Sequence, residues 1–116
     1  MKPVWIVDDD RSIRWVFEKA LGREGIAFSS FASAQEALDA LSDGAPQVLV
    51  SDIRMPGPSG LELLHTVKQQ HPAVPLLVVS SSEDPADVRR ALAAGARGYL
   101  PKSAGRNTML AAVRLV

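Results

Sequence analysis

The stretch 46-PQVLVSDIRMPG-57 is an apolar run that ends in a single carboxylate, Asp52, followed closely by a Met-Pro-Gly turn. Its continuous apolar segment, Val48 to Val50, predicts a short strand that is buried on both faces of a sheet. Asp52 follows where this strand leaves the sheet, and open parallel sheets bind their ligands at that edge. Asp52 is therefore the first candidate functional residue.

A second strand of the same kind lies at the start of the chain. The apolar segment VWIV, residues 4–7, runs straight into the three acids Asp8, Asp9 and Asp10. If the two strands are parallel neighbours, the carboxylates that follow them meet at one edge of the sheet. This convergence of acids from two strands is the central expectation from the sequence.

Strand-like and helix-like segments alternate five times, which predicts a parallel sheet with helices on both faces. Strands one, three and four have the strongest apolar runs and are expected at the centre, with the other two at the edges. The predicted fold is therefore a doubly wound α/β domain with strand order 2-1-3-4-5. The predicted strands are Val4–Val7, Ala27–Phe31, Gln47–Ser51, Pro75–Val79 and Gly98–Leu100, and the predicted helices begin near Ser12, Ser33, Leu61, Asp84 and Thr108.

Several helix starts carry explicit signals. Asp10 precedes the first helix, and Ser33 with Glu36 three residues later forms a capping box. Asp84-Pro85 opens the fourth helix with proline at the tolerated first position. The residues of the fourth helix predicted to face inward are Val88, Leu92 and Ala93.

The composition restricts the classes of function. The chain of 116 residues suffices for one domain, residues 1–116, and 47% of them are hydrophobic. The 13 basic and 13 acidic residues cancel, which gives no reason to expect direct nucleic-acid binding by this domain. Cysteine is absent, so disulfides and thiolate metal sites are excluded. We expect neither a signal peptide nor a membrane span, and a cytoplasmic location.

The converging carboxylates of Asp8, Asp9 and Asp52 need compensation, because like charges ~4 Å apart repel by on the order of 4 kcal/mol near a protein surface. One source is Mg²⁺, which prefers oxygen ligands. The other is Lys102, which follows the fifth strand. A zinc site lacks support, because the two histidines lie on or beside the far third helix.

A carboxylate placed beside Mg²⁺ and an ammonium group is equipped to attack a phosphoryl group. The two cations neutralise charge on the transferring oxygens, and Asp52 becomes an acyl phosphate. An acyl phosphate is labile, which suits a reversible signal. Ser80 follows the fourth strand, where its hydroxyl can donate to a phosphate oxygen on Asp52.

These residues occur in the order and at the strand ends typical of one known family. The sequence resembles the response-regulator receiver domain of two-component systems over essentially its whole length. The resemblance implies that a partner histidine kinase phosphorylates Asp52 in a Mg²⁺-dependent reaction. The fourth-helix and fifth-strand surface then switches to control an output domain or partner, a signalling function rather than an enzyme. The matched residues are Asp8, Asp9, Asp52, Met55-Pro56-Gly57, Ser80, Tyr99 and Lys102.

The resemblance implies a metal role for four residues. Mg²⁺ would bind Asp9 directly, Asp8 largely through water, and also Asp52 and the backbone carbonyl of Arg54.

The resemblance implies roles in switching for three other residues. Ser80 would be the switch hydroxyl, Lys102 the cation that pairs with the phosphate, and Tyr99 the aromatic that changes rotamer. Two receivers would pair through the fourth-helix and fifth-strand face. Arg89 and Arg90 are by default a solvated helix face, and the alternative hypothesis places them on this pairing surface.

Two parts of the chain resemble different receivers. The segments WIVDDD (5–10), SIRW (12–15) and SDIRMPG (51–57) are similar to the nitrogen-regulation class. The segments AGARGYL (94–100) and Lys102-Ser103 are more similar to receivers fused to helix-turn-helix outputs. A divergent natural receiver and an engineered chimera both account for this split, and the kinase, the signal and the output stay open.

The chain departs from the family at one position. The family usually has proline after the lysine, whereas here Pro101 precedes Lys102 and Ser103 follows it. A cis bond between Lys102 and Ser103 would cost ~3 kcal/mol, so a trans bond is expected.

Simpler interpretations exist for the same residues. The acids after the first strand could do no more than cap a helix, Ser80 could be an ordinary loop serine, and Trp15 is most simply a packing residue.

A Mg²⁺-dependent phosphatase would need a second carboxylate two residues after Asp52, but that residue is Arg54. A degenerate receiver that takes no phosphate would not need the full acidic set. The first helix near Arg14 and Trp15 is the expected kinase-docking surface.

Overall fold

The computed structural model describes residues 2–55, 60–82 and 84–116. Within these ranges the chain forms five strands, five α-helices and two short 3₁₀ turns. The strands are β1 (Val4–Val7), β2 (Phe28–Phe31), β3 (Val48–Ser51), β4 (Leu76–Ser80) and β5 (Gly98–Pro101). The helices are α1 (Arg11–Arg23), α2 (Ala34–Ala40), α3 (Gly60–Gln70), α4 (Pro85–Ala93) and α5 (Gly105–Leu115), and the 3₁₀ turns are Leu41–Asp43 and Lys102–Ala104.

The five strands form one parallel sheet in the order β2-β1-β3-β4-β5, as predicted. In the register between the two central strands, Val7 lies opposite Ser51. Asp8 and Asp52 are therefore the first residues beyond the ends of neighbouring strands. The topological switch point between β1 and β3 lies at this same edge.

Burial follows the predicted division into central and edge strands. Every residue of β1, β3 and β4 is buried, whereas β2 and β5 are partly exposed. One apolar layer packs α2, α3 and α4 on one face of the sheet, and the other packs α1 and α5 on the opposite face. Each fully buried side chain of the size of Leu contributes about 1.5–3 kcal/mol.

The predicted helix caps are confirmed. The side chain of Asp10 accepts hydrogen bonds from the backbone N–H groups of Ser12 (2.8 Å) and Ile13 (3.4 Å). Ser33 Oγ accepts from the N–H of Glu36 (3.2 Å), and Asp84 accepts from the N–H of Ala86 (2.9 Å).

The strand limits agree with the prediction to within one residue, but two differences change the description of the chain. Helix α5 begins at Gly105 rather than Thr108, because its first residues are polar and exposed and give no apolar periodicity. Ser80 is the last residue of β4 rather than a loop residue, and it lies opposite Pro101 in β5.

The predicted inward face of α4 was wrong for two of its three residues, since only Val88 is half-buried. Leu92 is 51% exposed and Ala93 is exposed, whereas Asp87 and Ala91 are the buried residues. An acid occupies the inward position because it has polar partners there, which apolar periodicity does not detect. Trp15 is likewise not a packing residue, because it is 58% exposed on the outer face of α1.

None of the helices in residues 2–55, 60–82 and 84–116 is both long and apolar enough to cross a bilayer.

Candidate functional site

Three carboxylates meet at the carboxyl ends of β1 and β3. One oxygen each from Asp8, Asp9 and Asp52 lies within 4.8 Å of the others. Asp8 and Asp52 are buried, and Asp9 is exposed at the mouth of the cluster. The convergence expected from the sequence is therefore present in the structure. We call these three residues the acid cluster.

Lys102 reaches the acid cluster from the end of β5. Its Nζ lies 2.9 Å from Asp52 Oδ2 and 3.1 Å from Asp8 Oδ2. Burial disfavours its charged form, but hydrogen bonds to Asp52 and Asp8 outweigh burial and raise the pKa of Lys102. The described residues contain no cis peptide bond, so the expected trans bond before Ser103 is compatible with this reach.

The surroundings of Asp8 disfavour its charged form. Burial raises the pKa of Asp8, although the backbone N–H of Asp10 (2.8 Å) and the ammonium group of Lys102 oppose the rise. With every group ionised, three carboxylates and one ammonium leave two negative charges. A hard divalent cation would balance them, and carboxylate oxygens are suitable ligands. The acid cluster could therefore hold a metal ion.

The side chain of Asp52 is fixed by its own loop. Its Oδ1 accepts hydrogen bonds from the backbone N–H groups of Ile53 (2.7 Å) and Arg54 (3.2 Å). These bonds leave Oδ2 directed towards Lys102.

The start of α3 packs tightly against this loop. A Cβ atom built at Gly60 would lie 1.8 Å from the carbonyl oxygen of Asp52 and 2.6 Å from Ile53 Cα. Only glycine fits such a close approach. Of the predicted Met-Pro-Gly turn, Met55 is partly buried, whereas Pro56 and Gly57 lie outside the described residues.

The two predicted switch residues are joined through Ser82. Ser80 is fully buried, and its Oγ accepts from the backbone N–H of Ser82 (3.1 Å). Tyr99 Oη donates to the carbonyl oxygen of the same residue (2.9 Å). The loop after β4 thus lies between the hydroxyl of Ser80 and the ring of Tyr99, which also packs against the core.

The side chain of Arg54 leads away from the acid cluster to α4. Its Nε and Nη2 donate to Asp87 Oδ2 at 2.8 and 2.6 Å. The hydroxyl of Ser82 foremost, and then Arg54, lower the pKa of Asp87, and the hydrogen bonds from Arg54 to Asp87 raise the pKa of Arg54. Asp87 was not predicted from the sequence as a functional residue. Its only signal is an acid in the first turn of a helix, which is usually a solvated residue.

Helix α1 contacts the acid cluster through one side chain. Arg14 Nη1 donates to the backbone carbonyl of Asp8 at 2.5 Å. Trp15 next to it projects into solvent, with Lys19 Nζ 5.6 Å from its ring centre. Arg14, which is hydrogen-bonded to the backbone of the acid cluster, and the exposed Trp15 therefore lie together on this helix.

The fold and the acid cluster define a class of protein. Residues 4–114 match the family described as the response regulator receiver domain, and the chain belongs to that family. Receiver domains are phosphorylation-activated signalling domains of two-component systems, phosphorylated by histidine kinases, and this chain is one of them.

Proteins similar to this chain include a DNA-binding transcriptional regulator and a response regulator. The DNA-binding transcriptional regulator NtrC of Klebsiella pneumoniae is 50% identical over 98 residues, which cover 84% of this chain and 21% of NtrC. The response regulator GacA of Pseudomonas protegens is 36% identical over 115 residues, covering 97% of this chain and 54% of GacA. The chain therefore spans about a fifth of the length of NtrC.

A solved structure supports the fold. The chemotaxis protein CheY4 of Vibrio cholerae superimposes with a TM-score of 0.92 at 30% identity, covering 100% of this chain and 98% of CheY4.

Proposed function

We propose that Asp52 accepts the phosphoryl group and that the acid cluster binds Mg²⁺ for this reaction. The observation that supports it most strongly is the convergence of Asp8, Asp9 and Asp52, with Lys102 bridging the two buried acids. The proposed ligands are these three carboxylates and the backbone carbonyl of Arg54. Mg²⁺, when bound, supplies positive charge to the oxygens of the transferring group.

The chain's own groups account for the rest of the transfer. A carboxylate oxygen of Asp52 forms a bond to phosphorus while the phosphorus–nitrogen bond of the kinase phosphohistidine breaks. The histidine nitrogen leaves with the electron pair of that bond, so the ring departs as a neutral imidazole that keeps its proton on the other nitrogen. The backbone N–H groups of Ile53 and Arg54 hold Asp52 in place, and Lys102 faces the new negative charge.

The switch follows from the new hydrogen-bond acceptors on Asp52. The hydroxyl of Ser80 and the ammonium of Lys102 donate to the phosphoryl oxygens. Ser82 is hydrogen-bonded to Ser80 and to the hydroxyl of Tyr99. When Ser80 moves, Ser82 therefore moves with it, and the ring of Tyr99 follows Ser82. Phosphorylation thereby shifts the population between two arrangements of the α4 and β5 surface.

The docking of the kinase is assigned to α1. Arg14 contacts the backbone of the acid cluster, and Trp15 is exposed beside it. A helix of the kinase that delivers phosphohistidine must approach the mouth of the cluster, where Asp9 is exposed.

The signalling partner of the switched surface is a second copy or an output domain. Leu92 is 51% exposed on α4, which supports pairing through this helix and β5. If an Arg89→Glu variant still dimerises normally on phosphorylation, pairing through this part of α4 is ruled out. By similarity to NtrC and GacA, we assign the whole protein to transcription regulation in the cytoplasm.

Incubation with Mg²⁺ and acetyl phosphate separates this function from its rivals. We expect one phosphoryl group on the wild-type chain, none on Asp52→Asn, and wild-type labelling of Asp10→Asn, which alters an acid outside the cluster. Continuous release of phosphate from many substrates would indicate a phosphatase instead. An unlabelled wild-type chain would indicate a receiver that does not take phosphate.

A further inference from the structure

One buried acid lies outside the acid cluster. Among the described residues, the buried carboxylates are Asp8, Asp52 and Asp87. The proposed phosphoryl transfer uses the first two and leaves Asp87, which is 3% exposed in the first turn of α4. Because an unpaired buried charge is costly, its partners determine what it does.

Both oxygens of Asp87 are fully engaged. Oδ2 accepts from Nε and Nη2 of Arg54 at 2.8 and 2.6 Å, and from Ser82 Oγ at 2.5 Å. Oδ1 accepts from Nη1 of Arg90, one turn further along α4, at 3.2 Å. Three of the four bonds therefore lead out of α4.

The outward bonds reach the two loops that carry the proposed reaction. Arg54 lies two residues after Asp52, and its backbone N–H donates to Asp52 Oδ1. Ser82 is the residue whose backbone contacts both Ser80 and Tyr99. A single carboxylate oxygen thus joins the loop after β3 (residues 52–55, which we call the acceptor loop), the loop after β4 and the first turn of α4.

We infer that Asp87 is a positioning residue that couples the acceptor loop to α4 through Arg54 and Ser82. The inference rests on the proposed phosphorylation of Asp52. When Ser80 moves towards a phosphoryl group, Ser82 must move with it or lose a hydrogen bond. Ser82 in turn either leaves Asp87 or draws α4 along. The fork of Arg54 keeps Asp87 aligned with the acceptor loop during this change.

A merely structural role for Asp87 makes a different prediction. If Asp87 only holds α4 in place, removing any of its charged partners should have a similar effect. If Asp87 couples the two regions, Arg54 should matter and Arg90 should not, because Arg90 belongs to α4 itself.

The test measures how far α4 responds to an event at Asp52. Mg²⁺ with beryllofluoride, a stable mimic of a phosphoryl group, is added to the ¹⁵N-labelled chain, and amide chemical shifts are followed at Ile53 and along α4. In Arg54→Met, the response of α4 should fall by roughly twofold or more relative to the response at Ile53 in the same variant. Arg90→Met should respond as the wild type does.

Two further variants make the result specific. Arg54→Lys restores the charge without the planar fork, so it should recover only part of the α4 response. Asp87→Asn should add little to Arg54→Met in the double variant, because both changes break one link.

The two proposals fail in distinguishable ways. An undiminished α4 response in Arg54→Met, or an equal loss in Arg90→Met, would overturn the coupling role alone. A wild-type chain in which beryllofluoride shifts no amide of the acceptor loop would overturn the proposed phosphorylation of Asp52, and this inference with it.

Discussion

The side chain of Asp52 is held in place before any reaction. Two backbone N–H groups bind Oδ1, and Lys102 approaches Oδ2 at 2.9 Å. As the proposed phosphoryl acceptor, Asp52 therefore needs little reorganisation, which is how an ordered site lowers a barrier. Lys102 is shared with Asp8, so one ammonium group restrains the acids of both central strands.

Replacement of Lys102 by glutamine should slow phosphorylation of Asp52 without preventing it. In the proposed reaction the ammonium group faces the charge that develops on the phosphoryl oxygens, and loss of one such group costs roughly a hundredfold in rate. Labelling by acetyl phosphate measures the change, which avoids any effect on kinase docking. Lys68→Gln is the matched control, because Lys68 is exposed on α3. Equal rates for both variants would contradict the role of Lys102.

The ion pair of Asp87 should make stability depend on pH. Hydrogen bonds from Ser82 and Arg54 lower the pKa of Asp87 below its usual value of 3.8. The ionised form is thus favoured in the folded chain, and its stabilising effect is present above pH 3.8 and is lost as pH falls through the lowered pKa.

Asp87→Asn should therefore unfold at a lower urea concentration than the wild type at neutral pH. The difference should shrink as both chains are titrated into the acid range below pH 3.8, where the wild-type carboxyl takes up its proton. Equilibrium urea unfolding at several pH values measures the difference. A gap that stays constant down to the most acid pH would show that the charge of Asp87 does not stabilise the fold.

At the scale of elements, the acceptor loop depends on how closely α3 can approach it. Gly60 begins α3 with its Cα against the backbone of Asp52 and Ile53. Two backbone segments this close cannot both stay in place if a methyl group is added. The position of Asp52 is thus set partly by a helix that contributes no side chain to the acid cluster.

Gly60→Ala should destabilise the chain by about 1–3 kcal/mol and slow the labelling of Asp52, because the added methyl group displaces the acceptor loop. Urea unfolding and acetyl phosphate labelling measure the two effects. Gly22→Ala in α1 is the matched control, because its Cβ would meet only a ring atom of Phe28 at 3.9 Å. That variant should be stabilised by about 0.5–1 kcal/mol. Wild-type stability and labelling in Gly60→Ala would contradict the close approach.

The elements also show which features could be predicted from the sequence. Strands β1, β3 and β4 were predictable because their apolar runs are continuous, and the acids that follow β1 and β3 were predictable as neighbours from strand order. Asp87 was not, because its partners Arg54 and Ser82 lie on other loops, and such long-range pairs leave no periodic pattern. The same limit explains the error in α4, where the paired acid Asp87 faces inward and Leu92 is exposed.

At the scale of the whole molecule, the strand order produces the acid cluster. The first and third strands of the chain are adjacent in the sheet, so acids more than 40 residues apart in sequence meet at one edge. Helices on both faces bury the sheet and leave this edge accessible at Asp9. The fold therefore concentrates negative charge at one accessible point, which a divalent cation can neutralise.

The binding of Mg²⁺ to the unphosphorylated chain reports directly on this concentrated charge. Isothermal titration calorimetry should detect one saturable site in the wild type. Affinity should fall roughly tenfold or more in Asp9→Asn, which removes an exposed ligand, and stay unchanged in Asp10→Asn, which alters only the cap of α1. A wild-type chain without saturable Mg²⁺ binding, or an Asp9→Asn variant that binds as tightly as the wild type, would contradict the proposed metal site.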